Sequence, residues 1–429
     1  MSMFRWSVVH GGKTPPPGQA VGPHERLSWP RTVGLGAQHV VAMFGATFVF
    51  PIVMGLDPNL AILFSGLCTI LFLVVVNGYV PSYLGTSASF VAGVTAIRAQ
   101  GGDSSDVTGA ILVSGVILAL VGVLVHFAGA NALKRVLPPA VTGAVVMLIG
   151  FNLAPVVAQI YWPQDQWIAL LTAIFLVGSA VLLPGFWARI AVFLALVFGY
   201  ALSWVADVLF GPITSVLPTS AGEAVAHDRI SLSGVGDAKW FGLPTGELAD
   251  GVSAIHSPSF SMTFILLVIP GVIALIAENT GHVRAVAEMT GEDLDPYMGR
   301  ALGADGVATA FASAFGASPT TTYAENIGVM SATRIYSTAA YYIAAVFAII
   351  LGLCPKFGVV INAIPGGVLG GITVVLYGMI GLIGAKIWVD NHVDFGDPAN
   401  MVPLAAGLIA GIGGVTLQIT DDFELGGIA

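Results

Sequence analysis

The sequence predicts an all-α protein that crosses a membrane many times and consists of two inverted repeats of seven spans. The first indication is composition, since 56% of the 429 residues are hydrophobic and 9% are charged, whereas soluble domains are about one quarter charged. The second is a mean hydropathy of +0.89. The third is a pair of interrupted apolar segments at corresponding places in the two halves of the chain.

Apolar windows long enough to cross the roughly 30 Å of a bilayer core predict the individual spans. These windows lie near residues 34–54, 58–77, 107–128, 140–160, 166–183, 188–208, 261–286, 302–316, 341–355, 365–387 and 401–418. Two further segments, 82–98 and 318–333, are poorer in apolar residues, and each is expected to cross the membrane once in interrupted form.

The N-terminal segment, the cysteines and the acidic residues do not indicate a different class of protein. The first thirty residues are polar and lack an apolar h-region, which predicts a cytoplasmic tail and not a cleavable signal peptide. Cys68 and Cys354 lie in apolar helices and are expected to be small core side chains. The net charge is −9, and most of the acidic residues lie in loop 209–258 and in short connections. This distribution indicates solvated loops and does not require a basic partner.

The distribution of lysine and arginine predicts the orientation, because cytoplasmic loops carry the excess of these residues. With a cytoplasmic N-terminus, only Arg98, Arg229, Lys239 and Lys356 fall on the outer side. The cytoplasmic side then holds Arg5, Lys13, Arg26, Arg31, Lys134, Arg135, Arg189, Arg284, Arg300, Arg334 and Lys386.

Two pairs of segments indicate internal repetition. "LPPAVTGAVVMLIG" (137–150) and "IPGGVLGGITVVLYG" (364–378) both begin with proline and align after a shift of 227 residues. The stronger similarity joins "PSYLGTSASFVAG" (81–93) to "SPTTTYAENIGVM" (318–330), since each lies third in its half and passes from proline through small polar residues into helix-competent sequence. The seven spans before loop 209–258 and those after it therefore resemble inverted repeats.

The interrupted segments predict the position of the functional site. Backbone groups left unpaired by a broken span cannot face lipid, so such segments line a protein cavity. In transporters with repeats, paired interruptions mark the substrate site at the midplane, where helix N-termini offer free N–H groups. We expect the site between residues 84–90 and 320–328.

Glu278 and His282 are the ionisable pair on the eighth span. They are spaced i, i+4 and share one helix face. Charged residues inside a span normally face the bundle interior and mark ion or proton paths, so this pair is expected to take part in proton coupling. The alternative is a structural pair near the cytoplasmic interface, since Arg284 follows within half a turn.

Glu325 lies just inside the second interrupted segment. It is expected to accept N–H donors from a neutral heterocycle while backbone N–H groups donate to the ring carbonyls. Tyr323, Ser87 and Thr86 would complete the polar lining. The alternative for Glu325 is an acid that complements the dipole of a helix N-terminus.

Other features have weaker implications. His39 lies in the first span beside Gln38, and the sequence leaves packing and function equally open for it. The small-residue spacing of Gly366, Gly370 and neighbouring glycines predicts close helix contact. Soluble-enzyme and nucleotide-binding motifs are absent from the sequence, so uphill transport would depend on an ion gradient.

The chain resembles the nucleobase–ascorbate transporters, also called nucleobase:cation symporters of the second type, and among them the bacterial uracil permeases. The resemblance runs from about residue 30 to the end. The segments that carry it are "QHVVAMFGATFVFP" (38–51), "AENTGHV" (277–283), "SPTTTYAENIGVMSATRIYS" (318–337) and "VVLYGMIG" (374–381).

The resemblance implies a fourteen-span fold with a core domain (spans 1–4 and 8–11) and a gate domain (spans 5–7 and 12–14), often as a homodimer. The corresponding division of this chain is a tail (1–30), core (31–130), gate (131–210), extracytoplasmic loop (211–258), core (259–358) and gate (359–429). It also implies proton-coupled uracil uptake, with H⁺ as the coupling ion and with neither a metal nor another cofactor.

The resemblance also implies residue roles. Glu278 and Glu325 match the acids that hold uracil, and His282 matches the histidine of the proton-linked pair. Tyr323 and Ser87 match polar neighbours involved in coupling, and His39 matches the first-span histidine. Further matches are Ala324 and Ala46, which line the pocket, and the gate tyrosine Tyr377.

Two departures from the family pattern stand out. Uracil permeases have "GSSFAF" where this chain has "GTSASF" (85–90), so Ala88 replaces a phenylalanine that packs on the pyrimidine; Phe90 is retained. The Ala88 N–H can still bind substrate, but the added room admits purines such as xanthine. The chain also stops at "TDDFELGGIA" (420–429), where a fourteenth span is expected to begin.

Together these observations predict a secondary-active, proton-coupled symporter, not an enzyme, that imports uracil or a close oxo-purine by alternating access. It would lie in the bacterial cytoplasmic membrane, with the lipid bilayer and a small nucleobase as partners and no nucleic acid. The rivals are a purine permease, an anion exchanger or channel of the same architecture, and a membrane scaffold that does not transport.

Overall fold

A computed structural model describes residues 5–16, 18–129, 138–217, 223–415, 417–420 and 423–425. Within these ranges the protein is mainly helical, with four two-stranded β-pairs. The helices are α1 (Trp29–Met54), α2 (Pro58–Val75), α3 (Val91–Ala99), α4 (Ser104–Ala128), α5 (Pro139–Phe151), α6 (Gln166–Leu182), α7 (Ala191–Phe210), α8 (Met262–Thr290), α9 (Asp295–Ser313), α10 (Ala324–Thr333), α11 (Thr338–Gly352), α12 (Pro355–Asn362), α13 (Gly366–Asp390) and α14 (Pro398–Ile412).

The strands are short and pair locally, with one exception. They are β1 (Ser7–Val8), β2 (Glu25–Arg26), β3 (Leu84–Thr86), β4 (Ile213–Val216), β5 (Ala224–His227), β6 (Thr320–Thr322), β7 (Leu417–Thr420) and β8 (Phe423–Leu425). The exception is β3 with β6, which joins the two halves of the chain.

Each apolar window in the sequence corresponds to a helix, except that the last window, 401–418, extends past the end of α14 into β7. Seven helices of the described residues are long and apolar enough to cross a membrane, or eight if the pair α11 and α12, bent by 83°, counts as one span. The other predicted spans are shorter or interrupted. Span five ends in a π-helical turn, Val156–Tyr161, after α5.

Side-chain caps and prolines define several helix starts. Asp57 accepts from the Leu60 N–H at 2.7 Å at the start of α2, and Asp103 forms a capping box with Asp106 at the start of α4. The two repeat-related helices α5 and α13 both begin directly after a proline, Pro138 and Pro365. Proline suits such positions because it lacks the N–H that would be unpaired there.

Glycines allow the repeat-related helices to pack closely and antiparallel. In α5 and α13, a Cβ added at Gly384 would lie 2.4 Å from the carbonyl oxygen of Gly143, and one added at Gly150 would lie 2.2 Å from the N of Gly381. Helices α4 and α9 meet through a similar glycine contact, and α2 packs along α11. In the predicted inverted repeat, span two corresponds to span nine and span four to span eleven. The contact between spans four and nine therefore corresponds to the contact between spans eleven and two.

The predicted outer loop (211–258) is anchored at two places by charged residues. The guanidinium of Arg229 contacts Asp165 (2.7 Å) and Asp207 (3.0 Å), which belong to the start of α6 and to α7. Further along the loop, Asp250 contacts Arg98 at 2.5 Å and accepts from Ser104 at the start of α4. The loop between these anchors therefore joins the α6–α7 side to the α3–α4 side.

The N-terminal region is folded against the ends of other helices. Val21 pairs through its backbone with Arg334 and Tyr336, between α10 and α11. The indole N–H of Trp6 donates to Thr338 at 2.9 Å. The sequence predicts a tail here, and the structure shows that the described part of this tail has defined contacts.

The C-terminal residues differ from the expected start of another helix. Strands β7 and β8 pair antiparallel, and residues 421–422 and 426–429 lie outside the described residues. The alternation of apolar and polar residues in "LQIT" and "FEL" explains the difference, since that period is typical of a strand. Lys134 and Arg135, which the sequence assigns to the cytoplasmic side, also lie outside the described residues.

Candidate functional site

The two interrupted segments meet as a buried antiparallel pair of strands. Leu84 pairs with Thr322 and Thr86 with Thr320. Two bonds extend the ladder, from the Ser87 N–H to the Pro319 carbonyl (2.9 Å) and from the Tyr323 N–H to the Tyr83 carbonyl (3.0 Å). This pairing satisfies the backbone groups that a broken span would otherwise leave exposed in a membrane. The sequence placed the site between these two segments, and the structure brings them together.

A short helix begins after each strand. The Ser87 hydroxyl accepts from the Ser89 N–H at 3.2 Å at the start of the turn Ala88–Phe90, which leads into α3. Helix α10 begins after Tyr323, and the Tyr323 side chain makes no capping bond. The Glu325 carboxyl lies against its own backbone N–H, and the positive end of the α10 dipole lies at the junction, where the remaining first-turn N–H groups have no cap from Tyr323.

Tyr323 connects three elements. Its hydroxyl donates to the Thr86 carbonyl at 3.0 Å and accepts from the Thr47 hydroxyl of α1 at 3.1 Å. The side chain is buried. The hydroxyl donates one hydrogen bond and accepts another within the protein. These contacts are consistent with a role for Tyr323 in positioning the strand pair.

Glu278 and His282 lie on one face of α8, as their spacing predicts, and both are half-buried. Glu278 is within electrostatic range of Glu325 on α10 and of Asp305 on α9. The imidazole Nδ1 of His282 lies 2.8 Å from the hydroxyl of Thr322 in β6. Helix α8 contacts both β6 and α10, so the elements that carry Glu278 and Glu325 meet beside the strand pair.

A chain of hydrogen bonds runs from His282 into the protein. The Thr322 hydroxyl donates to Asn279 Oδ1 at 2.9 Å, and Asn279 Nδ2 donates to Asp305 Oδ2 at 2.6 Å. Since the single hydroxyl proton of Thr322 goes to Asn279, Thr322 accepts from His282. The geometry therefore assigns a proton to Nδ1 of His282.

Asp305 and Asn279 are site residues that the sequence analysis missed. Asp305 is fully buried, and its Oδ1 has no hydrogen-bond partner among the described residues. The available signal was a lone acid within the apolar run "ALGADGVATAFAS", because an ionisable residue inside a span is by default a functional candidate.

His39 joins α1 to α10. Asn326 Nδ2 donates to the His39 carbonyl at 2.9 Å and lies 3.2 Å from His39 Nδ1. The imidazole packs on the ring of Tyr341, with centroids 4.3 Å apart. These buried contacts are consistent with a packing role for His39. They are equally consistent with a role in holding the start of α10 in place.

The remaining predicted residues lie on α1, α10, α13 and the turn that precedes α3. The ring of Tyr377 on α13 stacks with Phe50 of α1 at 6.5 Å and 15°, and its buried hydroxyl has no partner among the described residues. Ala46 is buried, Ala88 is half-buried and Ala324 is exposed. A small exposed residue directly before Glu325 leaves the start of α10 open.

The fold and the site define a multi-pass membrane transporter. The solved transmembrane domain of a cyanobacterial bicarbonate transporter, BicA, matches with a TM-score of 0.59 and 16% identity, over 89% of this chain and 97% of that chain. SLC26A9 matches with a TM-score of 0.58 and 12% identity, over 92% of this chain and 68% of that chain. At these identities the likeness concerns the fold, which is the predicted inverted-repeat architecture.

Within that class, the chain belongs to the nucleobase–ascorbate transporter (nucleobase:cation symporter-2) family. The family model described as "Permease family" matches residues 30–420. The "Putative pyrimidine permease RutG" of Escherichia coli (strain K12) is 41% identical over 435 residues, which cover 100% of this chain and 93% of the relative. The "Uracil permease" of Bacillus caldolyticus is 33% identical over 407 residues, with 92% and 88% covered. The protein is therefore a permease and not an enzyme.

Proposed function

We propose that this protein imports a nucleobase, with uracil as the first candidate, together with protons. The observation that carries the proposal is the convergence of Glu278, Glu325 and the uncapped start of α10 beside the β3–β6 pair. The names of the relatives, a putative pyrimidine permease and uracil permeases, support this substrate class.

The chemistry of the site suits an uncharged ring with alternating N–H and C=O groups. The carboxylates of Glu278 and Glu325 accept ring N–H donors, and such charge-assisted bonds are stronger than neutral ones. The N–H groups of the first turn of α10 and of Ala88 donate to ring carbonyls. Tyr323, Ser87 and Thr86 hold the strand pair, while Ala46, Ala324 and Tyr377 limit the space around the ring.

A purine such as xanthine is the alternative substrate. Ala88 offers less stacking surface than the phenylalanine of uracil permeases, so a larger ring has more room. Relative affinities for uracil and xanthine distinguish the two assignments.

Coupling to protons is proposed for Glu278 and His282, with Asp305 connected to His282 through Thr322 and Asn279. Each cycle would protonate and deprotonate this connected set. An indirect role in coupling is proposed for Ser87, Tyr323 and His39, because they hold the strand pair and α10 in place.

Alternating access is proposed as movement of a core (31–130 and 259–358) against a gate (131–210 and 359–429). A cavity of about 420 Å³ between α8 and the pair α5 and α13 supports this division. Its lining includes Ala277, the neighbour of Glu278, and the basic residues Arg284 and Lys386. In the proposed orientation, with a cytoplasmic N-terminus in the bacterial cytoplasmic membrane, this cavity opens inward. A homodimer remains part of the proposal.

The anion carriers of the same fold suggest anion exchange as a rival. Two carboxylates on converging helices oppose the binding of an anion, because their repulsion acts at short range and low dielectric. We therefore favour the neutral base.

Binding and uptake of radiolabelled uracil, xanthine, hypoxanthine and adenine across a range of pH test the proposal. The expected result is saturable uracil or xanthine uptake that an uncoupler of the proton gradient abolishes. Voltage-driven anion current in liposomes without uptake of any base would contradict it.

A further inference from the structure

A cavity of about 440 Å³ lies at the outer end of the protein, apart from the site described above. Its floor consists of Asp57 and Asn59 at the start of α2 and of one side of α12. The loop 239–246 forms its roof. This loop is part of segment 209–258, which the sequence analysis predicts to be a solvated loop.

The roof of the outer cavity is held in place by the corner between α11 and α12. The Gly242 N–H donates to the Leu353 carbonyl at 3.0 Å, and the Lys356 N–H donates to the Lys239 carbonyl at 3.1 Å. The ammonium group of Lys356 lies 4.8 Å from the ring centroid of Trp240. These contacts mean that the cavity exists without a ligand to organise it.

Asn59 is a buried residue in the lining of the outer cavity. Its side chain is 2% exposed, and its Nδ2 donates to the carbonyls of Gly352 (3.0 Å) and Cys354 (3.4 Å). Its Oδ1 has no hydrogen-bond partner in the described part of the chain. Buried polar atoms are normally paired, so this oxygen is an acceptor that the described residues leave unused at the edge of the cavity.

The other polar groups around the outer cavity define what it can hold. Asp57 adds carboxylate acceptors, and Lys239 and Thr245 add donors. A simple anion would meet the carboxylate of Asp57, and a simple cation would meet the ammonium of Lys239. Phe241 and Pro244 add flat apolar surface. The combination suits a neutral, planar ring that has both N–H and C=O groups on its edge.

We propose that the outer cavity is a second binding site, which takes a neutral heterocyclic base before it reaches the central site. The identity of this ligand class rests on the proposed function. The outer cavity is well placed to bind a base on its way to the central site. Phe357 of α12 packs on Phe44 and Phe48 of α1, with ring centroids 6.1 and 5.8 Å apart. Thr47 of the same helix binds Tyr323, so α12 and an aromatic layer separate the two sites.

Equilibrium binding of radiolabelled uracil and xanthine to the full chain in lipid nanodiscs tests the second site. The wild type should bind more than one base per protein. In Glu325→Ala the weaker component should remain. Adding Lys239→Met or Thr245→Trp should weaken this component at least tenfold, by removing a donor or by filling the cavity. Lys13→Met is the matched control, since Lys13 is an exposed lysine beside the start of α1, away from the lining of this cavity, and it should leave both components unchanged.

The outcomes separate the outer site from the proposed function. Saturation of the wild type at one base per protein, with uptake intact, would overturn the outer site and leave the function standing. A weaker component that persists unchanged in both Lys239→Met and Thr245→Trp would also overturn it. If no base binds or is taken up, the proposed function fails and the outer site fails with it.

Discussion

The ring of Tyr323 lies so close to Gly85 that a Cβ at Gly85 would be 2.3 Å from Cζ of the tyrosine. Gly85 is the central residue of β3, and Tyr323 follows β6 directly. Glycine is therefore needed at this position for the space that it leaves and not for an unusual backbone angle. The contact fixes how the two halves of the chain meet at the site.

Gly85→Ala is expected to displace the Tyr323 ring and to weaken base binding. Overpacking of this kind costs about 1–3 kcal/mol, which corresponds to roughly five- to 150-fold in affinity if the strain falls on the bound state. Tyr323→Phe keeps the ring and loses only its two hydroxyl bonds, so it should have the smaller effect. Binding isotherms and thermal unfolding of both variants check this order, and equal affinity of Gly85→Ala and wild type would contradict it.

Glu325→Ala is expected to abolish base binding while the protein stays monodisperse, because the carboxylate is proposed to hold ring N–H groups. Glu325→Gln keeps one acceptor oxygen and should weaken binding about tenfold or more, since a hydrogen bond to a charged group is worth about 1.5–3 kcal/mol. Glu292→Gln, which changes an exposed acid just after α8, is the control. Ligand-induced thermal stabilisation and uptake measure the effect, and normal values in Glu325→Ala would remove Glu325 from the site.

Thr322→Val is expected to separate binding from coupling. The change removes the hydroxyl between His282 and Asn279 but keeps a β-branched residue in β6. Uracil binding should stay within a fewfold of wild type, while the dependence of uptake on external pH changes. Thr322→Ser restores the hydroxyl and should restore the profile. Identical pH profiles for Thr322→Val and wild type would show that the chain through Asp305 does not serve coupling.

The anchor between Asp250 and Arg98 is expected to make the outer loop sensitive to acid. Burial acts to raise the pKa of Asp250, but bonds from Ser104 and Arg98 outweigh it and lower the pKa from 3.8 to about 2. A carboxyl group with a depressed folded-state pKa contributes stability above its unfolded value, and this contribution is lost as pH falls through the folded value. The anchor should therefore weaken between about pH 4 and pH 2.

Asp250→Asn provides the comparison for this acid sensitivity. Because asparagine does not titrate, limited proteolysis of the loop in this variant should already be faster near neutral pH and should change less between these two pH values. A wild-type loop that is cleaved at the same rate throughout the window would contradict the assignment.

Gly384→Ala is expected to destabilise the contact between α5 and α13, because its Cβ would lie 2.4 Å from the Gly143 carbonyl oxygen. Backbone atoms cannot move aside as a flexible side chain can, so a cost of about 1–3 kcal/mol is expected. Gly378→Ala on the same helix has nothing within 4 Å of its Cβ and should be neutral. Chemical unfolding of both variants in detergent tests this, and equal stability of the two would contradict the close packing.

The spans, the paired interruptions and the candidates Glu278, His282 and Glu325 were all predictable from local sequence patterns. Hydropathy is a property of local segments, so a window of apolar residues predicts a helix without knowledge of its neighbours. The interruptions were also local signals, since proline followed by threonine, serine and glycine disfavours a continuous helix. The family resemblance placed the same residues in the site.

The contacts between side chains of different elements could not be predicted in this way. Asp305 joins Asn279 because α9 lies beside α8, and Thr322 joins both to His282 because β6 passes between them and β3. The outer cavity depends in the same way on a loop that folds back on α12. Hydrogen bonds and close packing depend on distances of a few ångströms between segments far apart in the chain, and a one-dimensional pattern does not contain those distances.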